Sequence, residues 1–184
     1  MSKAAEQVME ESLARCAAGD RSAFAEIVRE HQAMVYSLAL HFLRRPSLAE
    51  DLAQEVFLEL YRNLGSITSG EHLRLWLRKV ACHRSIDRVR RRQPNRTVSL
   101  DDVPEPAAAA EERDPLLEDR LWRLVASLPE KPRMVLILRY QEDLELREIA
   151  EVLEMPVNTV KSSLERALAL LREKLARTMG GVKV

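Results

Sequence analysis

Nine basic side chains stand between residues 74 and 96: Arg74, Arg78, Lys79, Arg84, Arg88, Arg90, Arg91, Arg92 and Arg96. A single acid, Asp87, lies among them. Guanidinium and ammonium groups only donate hydrogen bonds, so a cluster of this density suits the oxygens of a phosphate backbone. The chain as a whole is neutral, with 29 Lys and Arg against 29 Asp and Glu. The neutral total hides segregation, because residues 97–120 carry eight acids against Arg113 and Arg120. A charge run more often makes a solvated helix face. Few acids sit four residues on from these arginines to pair with them, so charge alone leaves nucleic-acid binding and a solvated face both open.

Other chemistries are poorly served. Cys82 and His83 are adjacent, without a second Cys or His at nearby helical spacing, so no metal site is expected. There is no Ser-His-Asp order, no P-loop and no clustered acidic metal site, so neither catalytic residues nor a cofactor are expected, and the protein is not read as an enzyme. Cys16 and Cys82 lie too far apart to suggest a disulfide framework, which favours the cytoplasm. The opening "MSKAAEQVMEESLARC" has acids where a signal peptide needs an apolar run. No stretch of about 18 uncharged apolar residues exists to insert in a membrane.

The elements that carry the charge read as helices. Leu, Ala, Glu and Arg dominate, only 5 residues are Gly and only 4% are aromatic, which predicts an all-α protein. Residues 93–115 hold four prolines in an acidic segment without sustained apolar period, which reads as a flexible linker. The expected division is a domain at 1–93, a linker at 94–115 and a domain at 116–184. In the first domain, helices are expected over 3–17, 21–44, from about 47 to 64, and over 72–92. Phe24, Ile27, Val28, His31, Met34, Val35, Leu38 and Phe42 make one apolar stripe, with His31 read as a satisfied core or boundary histidine and not a ligand. Ser47 and Glu50 have capping-box spacing. Leu73, Trp76, Leu77, Val80, Ile86 and Val89 give the basic helix an inner face, with most of its arginines outside it.

In the second domain, helices are expected over 115–127, 130–140, 145–153 and 158–177. The last two, joined by a short turn, form a helix-turn-helix pattern. Ala150 lets them cross closely, and Val160 and Leu164 anchor the second. Asn158, Thr159, Lys161, Ser162, Glu165 and Arg166 then face outward. The first turns of such a helix reach base edges, and its free N–H groups favour phosphate. An ordinary helical hairpin is the alternative on spacing alone.

Residues 128–175, "LPEKPRMVLILRYQEDLELREIAEVLEMPVNTVKSSLERALALLREKL", resemble region 4 of bacterial RNA polymerase sigma factors of the extracytoplasmic-function (ECF) group. "EDLAQEVFLELYRNL" resembles their region 2 motif Asp-x-x-Gln-Glu-x-Phe through Asp51, Gln54, Glu55 and Phe57. "WLRKVACHRSIDRVRRR" resembles the helix that follows, matching at Trp76, Leu77, Val80, Ala81, Asp87 and Arg90, with His83 in place of the usual Asn. The resemblance implies a dissociable polymerase subunit that directs promoter-specific initiation. Asp51, Gln54 and Glu55 would form a docking face for the β′ clamp helices and serve docking rather than stability, with Phe57 in the core. The 64–72 loop with Arg74, Arg78, Lys79, Arg84, Arg88, Arg91 and Arg92 would engage the −10 element, where the family captures a flipped base. Asn158, Thr159, Lys161, Ser162 and Arg166 would meet the −35 element while the domain rests on the β flap. An anti-sigma factor is the further partner implied. The acidic segment could mimic nucleic acid near the polymerase or shield the basic helix. Asp143, Glu154 and Asn158 stand where the family often has glycine, and Ser163 where it often has Arg. The alternative reading is a stand-alone helix-turn-helix regulator that does not bind polymerase.

Overall fold

The computed structural model describes residues 3–92 and 115–179. Of the expected linker at 94–115, residues 94–114 lie outside the described residues, and Pro115 opens helix α5. Eight α-helices are found among the described residues: α1 Lys3–Ala17, α2 Arg21–Leu43, α3 Pro46–Asn63, α4 Gly70–Arg92, α5 Pro115–Ala126, α6 Glu130–Tyr140, α7 Leu146–Leu153 and α8 Val157–Met179. A single 3₁₀ turn, Leu64–Ser66, separates α3 from the loop before α4.

Local chemistry sets the helix ends. Asp20 caps α2 by accepting from the Ser22 backbone N–H at 2.8 Å, and Arg15 holds the same carboxylate at 2.7 Å. These hydrogen bonds, from Ser22 first and then Arg15, keep the Asp20 carboxyl well below the usual carboxylate range. Helix α2 ends at Arg44 in the left-handed region, φ 56°. Helix α3 then starts at Pro46, one residue before the expected Ser47 cap, and Arg45 at its N-cap makes no side-chain cap bond. Proline at the first helical position needs no N–H partner, so the Ser47–Glu50 capping box is not used.

The stripe on α2 packs as its spacing requires, with Ile27, Val35, Leu38 and Phe42 buried. His31 is buried in that stripe, but it is not satisfied: Nε2 has no hydrogen-bond partner, and burial pushes its pKa down. Phe57 is in the core.

The two halves share one core. Ile27, Leu38, Phe42, Leu73 and Leu77 from the first half belong to the same buried cluster as Met134, Ile137, Ile149, Val152 and Val160 from the second. Helix α6 lies at the centre, with seven consecutive residues, Pro132 to Leu138, buried. A helix buried on all sides needs neighbours all round, and α6 packs against α2, α4, α7 and α8. One of the seven is Arg133, a charged residue, whereas the aromatic Tyr140 at the helix end is exposed. Burial pushes Arg133 down to about 10; its guanidinium lies 4.1 Å from the Phe42 ring centroid and donates to the Ala126 carbonyl at 3.0 Å. A second clasp joins the halves at Trp122, which stacks on His41 at 5.0 Å and lies under the Arg44 guanidinium at 4.7 Å.

Candidate functional site

On α3 the exposed residues Asp51 and Gln54 fall on one face, and Leu58 and Tyr61 continue it. Steps of three and four residues keep these side chains in line. Leu58 is 58% exposed and Tyr61 51%, a large apolar display beside two polar groups. Tyr61 is supported by an edge-on contact with Phe24 at 5.1 Å. Sequence reasoning missed Leu58 and Tyr61; the signal was their spacing of four and seven from Gln54, opposite the buried Val56 and Leu60.

Glu55 sits differently. Its carboxylate pairs with Arg84 at 3.3 Å and with Arg88 at 2.5 Å. Arg84 also holds Glu59 through Nε at 2.7 Å, and Arg88 donates to the Leu48 carbonyl at 2.9 Å. The Glu55 carboxylate thus ties α3 to α4 while staying partly exposed.

The basic helix is answered by carboxylates from other helices. Arg84 and Arg88 meet α3 as described. Lys79 meets Glu154 at 2.7 Å, which holds the Glu154 carboxyl below its ordinary value. Arg78 faces Glu142 at 3.8 Å, too long for a hydrogen bond, so the buried Arg78 Nε has no such partner. Burial raises the Glu142 pKa, and Arg78 opposes that shift. Beyond them, Arg74 is half-buried beside His31, Arg90 and Arg91 are exposed, and Arg92 ends the helix. Among the described residues, these carboxylates come from α3, the turn after α6 and the turn after α7; the acidic segment lies outside the described residues.

The α7–α8 pair has the geometry its pattern implies. Ala150 and Val160 are buried where the two helices meet, and Leu164 is half-buried. Asn158, Thr159, Lys161, Ser162, Glu165 and Arg166 are all exposed. The turn runs through Glu154 at φ 51°, and Asp143 before α7 has φ 50°. Both are left-handed positions that glycine adopts without strain. Asn158, by contrast, is inside α8 and needs no glycine. Helix α7 also has an N-terminal feature that sequence reasoning missed: the Glu148 carboxylate accepts from the Glu145 backbone N–H at 2.7 Å.

No group of three or more His, Cys, Asp or Glu that could hold a metal is found among the described residues. None of their helices is long and apolar enough to cross a membrane. Cys82 is fully buried, and desolvation pushes its thiol above its ordinary range.

An exposed polar-apolar face on one half and a helix-turn-helix on the other define an all-helical protein of two halves around one shared core. Residues 27–94 match the model for Sigma-70 region 2, and residues 118–171 that for Sigma-70, region 4. The chain is 30% identical over 187 residues to the ECF RNA polymerase sigma factor SigW of Bacillus subtilis, covering 92% of this chain and 98% of that protein. It is 29% identical over 189 residues to the ECF RNA polymerase sigma-E factor of Haemophilus influenzae, covering 95% and 100%. The chain therefore belongs to the ECF group of RNA polymerase sigma factors. Its fold is shared with CnrH, solved with the cytosolic domain of CnrY, at a TM-score of 0.68 and 21% identity over 92% of this chain and 98% of that one. It is also shared with RpoE of Bartonella quintana, solved with the anti-sigma factor NepR, at a TM-score of 0.64 and 20% identity over 83% and 96%. Matches to both regions, in order, do not favour a stand-alone regulator.

Proposed function

We propose that this chain binds core RNA polymerase through the outer face of α3 and brings it to promoters read by α4 with the 64–72 loop and by the start of α8. The observation that carries this reading is the exposure of two separate faces on one scaffold. Asp51 and Gln54, flanked by Leu58 and Tyr61, supply the polymerase-docking face. Asn158, Thr159, Lys161, Ser162 and Arg166 supply the upstream reader. The matched regions and the ECF relatives support the assignment of roles. The functional division is 1–93 for docking and −10 recognition, 94–115 as linker, and 116–184 for −35 recognition. RpoE of Bartonella quintana, solved with an anti-sigma factor, supports a partner of that kind for this chain, and work beside polymerase fits the cytoplasm.

The closed arrangement bears on how this happens. Two elements about 25 base pairs apart are about 85 Å apart along the duplex at 3.4 Å per pair. Helix α4 packs directly on α7, so the two readers cannot meet both elements until the halves part. The docking face on α3 stays exposed in the closed form. Polymerase can therefore engage the first half before the second is released. The Arg78–Glu142 contact, buried but without a hydrogen bond at Arg78 Nε, is a weak point at which the halves separate.

Binding of holoenzyme carrying Lys161→Ala or Arg166→Ala, measured across single-base variants of the upstream element, tests the reader. A loss confined to one base pair marks a base contact of about 1–3 kcal/mol. An equal loss on all sequences marks a phosphate contact. Unchanged binding by both variants would remove α8 from the groove.

A further inference from the structure

Helix α7 lies on α4, with Ile149, Val152 and Leu153 buried in the same cluster as Leu73 and Leu77. Two consecutive basic side chains of α4 then meet the two ends of α7. In the turn before it, the Glu142 carboxylate faces Arg78 at 3.8 Å. In the turn after it, the Glu154 carboxylate accepts from Lys79 Nζ at 2.7 Å.

The second contact sits on a strained residue. Glu154 has φ 51° and ψ 47°, a left-handed conformation that glycine takes freely and a residue with a Cβ does not. The turn is closed by backbone bonds, from the Met155 N–H to the Ala150 carbonyl at 3.0 Å and from the Glu154 N–H to the Glu151 carbonyl at 3.3 Å. The turn therefore has no need of the Glu154 side chain, which reaches across the seam to the other half. The hydrogen bond and charge of Lys79, and the charge of His83 one turn further along α4, hold its carboxyl below the ordinary value. Glu154 stands where the family often has glycine and His83 where it usually has Asn, so the two departures act on each other. A strained residue kept where glycine would serve points to a task for its side chain.

We propose that Glu154 is an autoinhibitory latch: its carboxylate holds Lys79 in place of a DNA phosphate and pins the helix-turn-helix turn to α4, so that one contact withholds both DNA-facing elements of the free chain. This rests on the reading that α4 and the start of α8 meet DNA, and it adds their regulation. Carboxylate and phosphate oxygens compete for the same ammonium group. A chain that binds DNA only in its open fraction gains apparent affinity by the factor by which closure weakens. The pair is accessible, with side-chain exposures of 38% for Lys79 and 59% for Glu154. A contact of that kind sets the factor at about 1.5- to 5-fold.

The experiment measures, by fluorescence anisotropy, the affinity of the full chain without polymerase for a labelled DNA duplex. Glu154→Gln removes the charge and keeps the side chain. Glu154→Gly removes the contact and relaxes the backbone, so its gain does not come from a damaged turn. Glu151→Gln, at an exposed position on α7, removes an equal charge outside the latch. Both Glu154 variants are expected to bind about 1.5- to 5-fold more tightly than Glu151→Gln. In holoenzyme, where the halves have parted, Glu154→Gln is expected to bind promoter like wild type. Equal affinities for Glu154→Gln and Glu151→Gln in the free chain would overturn the proposal, because net charge alone would then act. The same gain in holoenzyme as in the free chain would also overturn it, because Glu154 would then act on DNA directly. A wild-type holoenzyme that binds no promoter would overturn the parent reading, a failure that the polymerase-free comparison keeps separate.

Discussion

Glu55 lies in the sequence motif for docking, yet the structure gives it a second task that can be weighed. Its carboxylate bridges Arg84 and Arg88, with side-chain exposures of 41% and 21%, and is itself 43% exposed. Pairs this accessible are worth about 0.2–1 kcal/mol each after solvent screening. Two such pairs place the loss for Glu55→Gln at about 0.4–2 kcal/mol. Arg84 keeps Glu59 and Arg88 keeps the Leu48 carbonyl, so the loss stays at that level. For a chain of this size, about 2–4 °C of Tm accompanies each kcal/mol, so a fall of roughly 1–8 °C is expected. Gln54→Ala, at an exposed position on the same helix, is expected to stay within about 0.5 kcal/mol of wild type. Thermal unfolding of Glu55→Gln, Arg88→Met and the double variant forms a cycle whose coupling should be about 0.5–1 kcal/mol. Raising the salt to 1 M should shrink that coupling. If Glu55→Gln unfolds with wild-type and Gln54→Ala, the bridge carries no stability and the motif acts in docking alone.

Three further outcomes follow from the same contacts. The Asp20 carboxyl is depressed in the folded chain, so its stabilisation is present above the unfolded Asp value near pH 3.9 and is lost as pH falls through the lower folded value; Asp20→Asn should unfold earlier at neutral pH and lose part of the acid dependence of Tm. Asp143→Gly should relieve the left-handed backbone at φ 50° and raise Tm by roughly 1–4 °C, about 0.5–1 kcal/mol; a lower Tm would show that the Asp side chain stabilises the turn. Arg91→Ala, at an exposed position on α4, should reduce the salt slope of promoter binding by about one unit; an unchanged slope would take Arg91 off the phosphates.

Much of the scaffold was legible because it follows from periodicity. The α2 stripe, the inner face of α4 and the Val160–Leu164 anchors of α8 depend only on steps of three and four residues, and these side chains are buried or half-buried as the pattern requires. Of the three positions where the resemblance places glycine, Asp143 and Glu154 have positive φ, and Asn158, inside α8, does not. The charge network was not legible. The absence of acids at i+4 left the arginines of α4 looking unanswered, but Glu55 and Glu59 reach Arg84 and Glu55 reaches Arg88 across a helix crossing. Such pairs depend on how helices pack, which no local spacing encodes. The docking of the halves escaped for the same reason: nothing in the local sequence links Arg133 to Phe42, or Trp122 to His41 and Arg44, which the fold places beside them.

In vitro transcription with core RNA polymerase, over a library of genomic promoter fragments, tests the central claim most directly. With this chain added, polymerase should start at a limited set of sites that share paired upstream and downstream elements, and without it those starts should vanish. Sequence-specific DNA binding by the chain alone, with no polymerase-dependent starts, would contradict the account and mark a stand-alone regulator instead.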